Sequence, residues 1–145
     1  MVLFQNKIRN IYILLSVLFL VLGIGIYLFF REIDKMIIFK WMPLIKINFP
    51  IKLNENIFSY FLMFNLPDMF WFLSGILFFR FLWFYNIKIQ YIYILCFYVF
   101  GILLEISQLF TSVYGTFDWL DLLFFGIGAF VEGLLYNKFT RRRFV

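Results

Sequence analysis

IYILLSVLFLVLGIGIYLFF, residues 11–30, contains no charged side chain and no proline. Coiled as an α-helix at about 1.5 Å per residue, it is about 30 Å long, the thickness of a bilayer's hydrocarbon core. Lys7 and Arg9 stand before it and Arg31 closes it. The run is too long for the apolar part of a signal peptide, and no small-residue cleavage site follows. It therefore reads as a retained spanning helix.

The rest of the chain has the same character. Of 145 residues, 65% are hydrophobic and 14% charged, against about 45–50% and about 25% in soluble proteins. So little polar surface could not cover a small domain in water. A bilayer imposes no such demand. One cysteine, Cys96, and no histidine exclude an internal disulfide, a His/Cys metal site and a Ser-His-Asp triad. No metal site is expected. Phe, Ile, Tyr, Lys and Asn are abundant and alanine is nearly absent, which fits an A/T-rich genome. The 24 phenylalanines are given no catalytic meaning.

Three further apolar runs follow. NLPDMFW opens the second: Asn65 or Leu66 can cap, Pro67 suits a first helical turn, and Asp68 faces the positive end of the helix dipole. Arg80, near the other end of that helix, can snorkel. Residues 86–90 read as a tight connection, and the turn before the fourth run spans 111–117. The expected fold is all-α: a single membrane domain over 1–145, with transmembrane helices at about 11–30, 67–85, 91–110 and 118–136. An interfacial segment is expected between the first and second helices. There Ile33, Met36, Ile37, Lys40 and Trp41 fall at helical spacing, and Ile57 to Phe64 is too short to span alone.

Four spans place both termini on one side. That side carries Lys7, Arg9, Arg80, Lys88, Lys138, Arg141, Arg142 and Arg143; the other carries Arg31, Lys35, Lys40, Lys46 and Lys52. The larger cation count favours a cytoplasmic location for both termini, in the inner membrane. The arginine run at 141–143 reads as a stop-transfer and anionic-lipid anchor.

Within this frame the acids gather at one level. Asp68 starts the second helix, Asp118 and Asp121 start the fourth, and Glu105 and Gln108 end the third, all at the outer end. Tyr98, Gly101, Glu105, Gln108 and Ser112 make one stripe at steps of three or four; Asp118, Asp121, Phe125, Gly128 and Glu132 make another. Gly126, Ala129 and Gly133 form a small-residue face, and the third and fourth helices are expected to pack through it or through the adjoining acidic stripe. A carboxylate facing lipid costs about 2.5 kcal/mol or more, so the stripes should face inward. Asp118 and Asp121 suit helix capping. Glu105 and Gln108 do not, because a helix C-terminal half disfavours acid. Acids crowded without a cation must hold a proton or share a bound cation. Glu132 can pair with Arg80 or with the Arg141–Arg143 run. Cys96, opposite Glu105, reads as inert packing.

E-x-x-Q at Glu105 and Gln108, a short turn, D-x-x-D at Asp118 and Asp121, and the pair Gly128–Ala129 resemble the VanZ-like family of small membrane proteins. LPDMFW is similar to the second-helix start of small relatives of that family. The likeness covers about residues 66–133. The family's usual arginine in the turn is missing from TSVYGTF, and Phe125 stands where an asparagine is usual, so chemistry needing either group is not implied here. The family's founding member is associated with resistance to the glycopeptide teicoplanin, which implies a cell-envelope context.

Three functions of different classes follow. The first is binding: Asp68, Glu105, Gln108, Asp118 and Asp121 would form an outer-leaflet pocket for an amphiphile headgroup or a partner protein. The second is an intramembrane enzyme using Glu105 and Asp121 as acid/base or cation ligands. The third is a small transporter or accessory subunit with Glu105 and Glu132 along a proton or cation path. The sequence identifies neither a cofactor nor a catalytic set. The expected partners are the lipid bilayer, a lipid-linked envelope precursor or a membrane protein; nucleic acid is not among them.

Overall fold

Four helices, all long and apolar enough to cross a membrane, account for most of the described chain. The computed structural model describes residues 2–30, 57–110 and 117–141, and no strand occurs among them. Helix α1 is Val2–Phe30. Helix α2 starts with Ile57–Tyr60, continues through a π-helical segment at Phe61–Asn65, and runs on as Leu66–Leu82. Helix α3 is Ile87–Ser107 and α4 is Trp119–Arg141. The expected interfacial helix around residues 33–41 and the turn at 111–116 lie outside the described residues.

Several boundaries differ from the sequence reading: α1 begins at Val2 and α4 runs on to Arg141, and the starts of α2 and α3 have a clear physical reason. Helix α2 begins well before Pro67, so Ile57 to Phe64 is the start of a span and not a separate interfacial piece. Proline lacks an N–H and would ordinarily break the ladder one turn back. The chain meets Pro67 with a π turn, in which the Leu66 N–H reaches back five residues to the Phe61 carbonyl. Helix α3 begins at Ile87, because Asn86 caps it: its side-chain oxygen accepts the Ile89 N–H at 3.2 Å. Residues 87–90 are therefore helix and not connection.

Helix α2 is the centre of the bundle. Of its spanning residues 44% are buried, against 11%, 17% and 17% in α1, α3 and α4. Its apolar residues run all round the cylinder, the pattern of a helix with neighbours on every side. Against α1, Ser16 donates to the Ser74 carbonyl at 2.9 Å. Gly23 lets the backbones close there, since a Cβ on it would lie 3.2 Å from the Pro67 carbonyl. Against α3 and α4, Phe72 stacks on Phe97 and Phe125 and meets Tyr98 edge-on. Gly75 leaves the space that the Phe97 ring fills.

This arrangement corrects one of the two expected forms of the α3–α4 seam, the small-residue face. Gly126 and Gly133 have open space where a side chain would stand. Ala129 instead packs beside the cluster of Phe72, Ile76 and Phe125, and Gly128 approaches Met69 on α2. The described members of the two polar stripes do face inward, but toward α2 and not across a shared small-residue face, and Ser112 lies outside the described residues. The Phe72 ring occupies the seam, and in lipid the best packing decides which helices touch.

One end of the bundle is locked by a polar network. The Arg80 guanidinium donates to both Glu132 oxygens, at 2.7 and 3.3 Å, and to the Gln90 side-chain oxygen at 2.6 Å. Gln90 donates back to the Arg80 carbonyl at 3.0 Å. The guanidinium also lies 4.0 Å from the Tyr136 ring centroid. All three polar partners are buried. The pairing of Arg80 with Glu132 is one of the two the sequence suggests for that carboxylate; the snorkelling expected of Arg80 does not occur, because α4 brings a carboxylate to it.

Candidate functional site

At the opposite end of the bundle, α3 stops and α4 begins. Asp118 is the residue before α4, and its Oδ1 accepts the Leu120 N–H at 2.9 Å, an N-cap. Its own N–H donates to Glu105 Oε1 at 3.0 Å, and Gln108 Nε2 donates to Glu105 Oε2 at 2.9 Å. Glu105 is 5% exposed. It thus has the capping role the sequence reading denied it, exercised on the next helix and not on its own. The positive end of the α4 dipole favours a carboxylate there.

Asp121, in the first turn of α4, accepts from Asn65 Nδ2 at 2.7 Å. Asn65 belongs to the π segment of α2 and is 0% exposed. The wider π turn directs its amide toward α4; π segments often stand at functional sites. Asn65 does not cap α2, since the helix is already under way, and its Oδ1 is shielded without a hydrogen-bond partner. Asp118 and Asp121 lie within Coulombic reach of Glu105.

Glu105, Gln108 and Asp118 are thus directly linked, and Asp121 joins them through the start of α4. Asp68 is held differently. It is not at a helix start, and its Oδ1 accepts the Tyr27 hydroxyl of α1. Cys96 is exposed on α3 and not packed. Among the described residues no three His, Cys, Asp or Glu side chains converge as a metal site.

Beside the carboxylates is a groove of about 440 Å³, lined by Tyr60, Phe64, Phe117, Asp118, Trp119, Leu120 and Asp121. The Tyr60 hydroxyl donates to Asp118 Oδ2 at 3.1 Å, and the Tyr60 and Phe64 rings lie 4.8 Å apart. Among the described residues every Lys and Arg (Lys7, Arg9, Arg80, Lys88, Lys138, Arg141) belongs to the other end. The groove is aromatic and acidic without a described basic counterpart. Tyr60, Asn65 and Tyr27 are site neighbours that the sequence reading did not identify. Asn65 had a signal: an amide between Phe64 and Leu66 is costly in a spanning helix unless it has a partner. Comparison with protein families, curated proteins and solved structures returns no match to this chain.

Proposed function

We propose that this multi-pass protein acts in the cell envelope by holding an amphiphile headgroup in the groove at the start of α4, with both termini in the cytoplasm and the groove in the outer leaflet. The observation that carries this reading is the lining: four aromatic rings and the carboxylates of Asp118 and Asp121 around about 440 Å³. Such a surface attracts ammonium groups through ring faces and carboxylates together. An amine-bearing headgroup therefore suits it, and its acyl chains would lie along the apolar faces of the helices. A lipid-linked envelope precursor enters this reading through an amine-bearing portion, since a diphosphate would meet two carboxylates. The VanZ-like resemblance supports the envelope setting, and the excess of cations near the termini supports the orientation.

An enzymatic role with Glu105 as general base has less support. Both its oxygens already accept hydrogen bonds and little of it is exposed.

The test is lipid mass spectrometry on gently purified protein. Wild type should retain an amine-bearing amphiphile; Asp121→Asn and Trp119→Ala should lose it while keeping wild-type helicity. Equal retention by all three would remove the groove from the function.

A further inference from the structure

We propose that the opposite end of the bundle is a second lipid site, built around Arg9, for the phosphate of an anionic phospholipid. Three helices close there around Tyr12: its ring lies 6.1 Å from Phe84 of the chain just past α2 and 5.6 Å from Phe139 of α4. Arg9 stands one turn before Tyr12. Its guanidinium rests 5.5 Å from the Phe81 ring centroid, which fixes the position of the fork. Its Nε is shielded and has no hydrogen-bond partner. Lys7 on α1, Lys88 on α3 and Lys138 on α4 are exposed at the same end.

The acids decide the matter. Among the described residues Glu132 is the sole carboxylate toward this end, and Arg80 engages both its oxygens. Arg9, Lys7 and Lys138 have no acidic partner among the described residues. Their depth suits a headgroup: the apolar span of α1 starts at Gln5 and that of α4 ends at Phe139. A guanidinium fork matches two phosphate oxygens, and lysines beside it add point charge. The same lysines repel the ammonium of a zwitterionic headgroup, so the occupant carries a phosphate without a compensating cation. Each basic residue near an anionic surface strengthens attachment about five-fold.

The full chain, reconstituted in nanodiscs of mixed phosphatidylglycerol and phosphatidylcholine, is released into native mass spectrometry and its retained lipids are counted. Wild type should keep phosphatidylglycerol in preference to phosphatidylcholine. Arg9→Gln should reduce that preference about five-fold, and Arg9→Lys should fall between, keeping the charge but losing the fork. Should Arg9→Gln not fold, the exposed pair Lys7→Gln with Lys138→Gln carries the test and should also lower the preference. All of these comparisons are made in an Asp121→Asn background, because the aromatic and acidic groove can hold the choline of phosphatidylcholine. There, equal retention of both lipids with Arg9, Lys7 and Lys138 intact, or a preference unchanged in every folded variant, overturns the proposal, and neither result depends on the groove.

Discussion

Glu105 accepts the backbone N–H of Asp118 at 3.0 Å, so the acid of one spanning helix caps the start of the next. The bond crosses the turn between α3 and α4 and joins the two helices where their side chains otherwise meet little. Glu105→Ala would leave a shielded N–H and the Gln108 amide without an acceptor. A loss of about 1–3 kcal/mol is expected. Glu105→Gln keeps an acceptor for Asp118, and Gln108 can turn its own oxygen inward, so the loss should stay near 1 kcal/mol. Thermal melting in detergent separates the two. Equal melting of Glu105→Ala and wild type would deny the cap.

Arg80→Leu should be among the most damaging single changes. It strands the Glu132 carboxylate in the interior, at an expected cost of about 3–5 kcal/mol. Adding Glu132→Leu should recover most of the loss, because a buried pair replaced by apolar residues is often neutral. A double-mutant cycle on thermal stability reads the coupling. Additive losses would mean that the pair contributes nothing.

Two glycine substitutions should diverge. Gly133 has open space around it, so Gly133→Leu should change stability by no more than about 0.5 kcal/mol. Gly75 lies against the Phe97 ring, and Gly75→Val should cost about 1–3 kcal/mol through overpacking. A large loss at Gly133 in the purified chain would mean that this face is covered after all.

Topology can be read by cysteine labelling in intact cells. Cys96 is exposed on α3 and should first be replaced by serine. In that background Asn54→Cys should react with an impermeant reagent from outside, and Thr140→Cys should not. The reverse pattern would invert the orientation proposed for the groove.

Much of the fold was legible in the amino-acid sequence because bilayer thickness is a strict ruler. Residues 11–30 match it without any knowledge of neighbours. Hydropathy was silent on which helix is central. That depended on Phe72 and Gly75 fitting the rings of Phe97 and Phe125, a matter of shape. Pro67 was misleading for a related reason: it marks a helix start in most settings, and only the π turn before it lets the helix run through. At the site, the acids announced themselves by their cost in lipid. Their partners did not. Tyr27 and Tyr60 are ordinary aromatics in a chain rich in them, and only the geometry gives their hydroxyls to Asp68 and Asp118.

The Arg80–Glu132 pair also constrains how the chain is made. Its partners are 52 residues apart, so Arg80 leaves the ribosome well before its carboxylate exists. Through that interval α2 carries an uncompensated cation, at a cost of about 2.5–3.5 kcal/mol on insertion scales if it lies at mid-membrane. Its mean hydropathy is 1.5, against 2.8 for α1. The nascent α1 is already in place, offering Ser16 to the Ser74 carbonyl and the flat face of Gly23 to the turn at Pro67. A helical hairpin of α1 and α2 that kept Arg80 toward the headgroups would avoid that cost until α4 arrived, and the last helix synthesised would then complete the burial of the second.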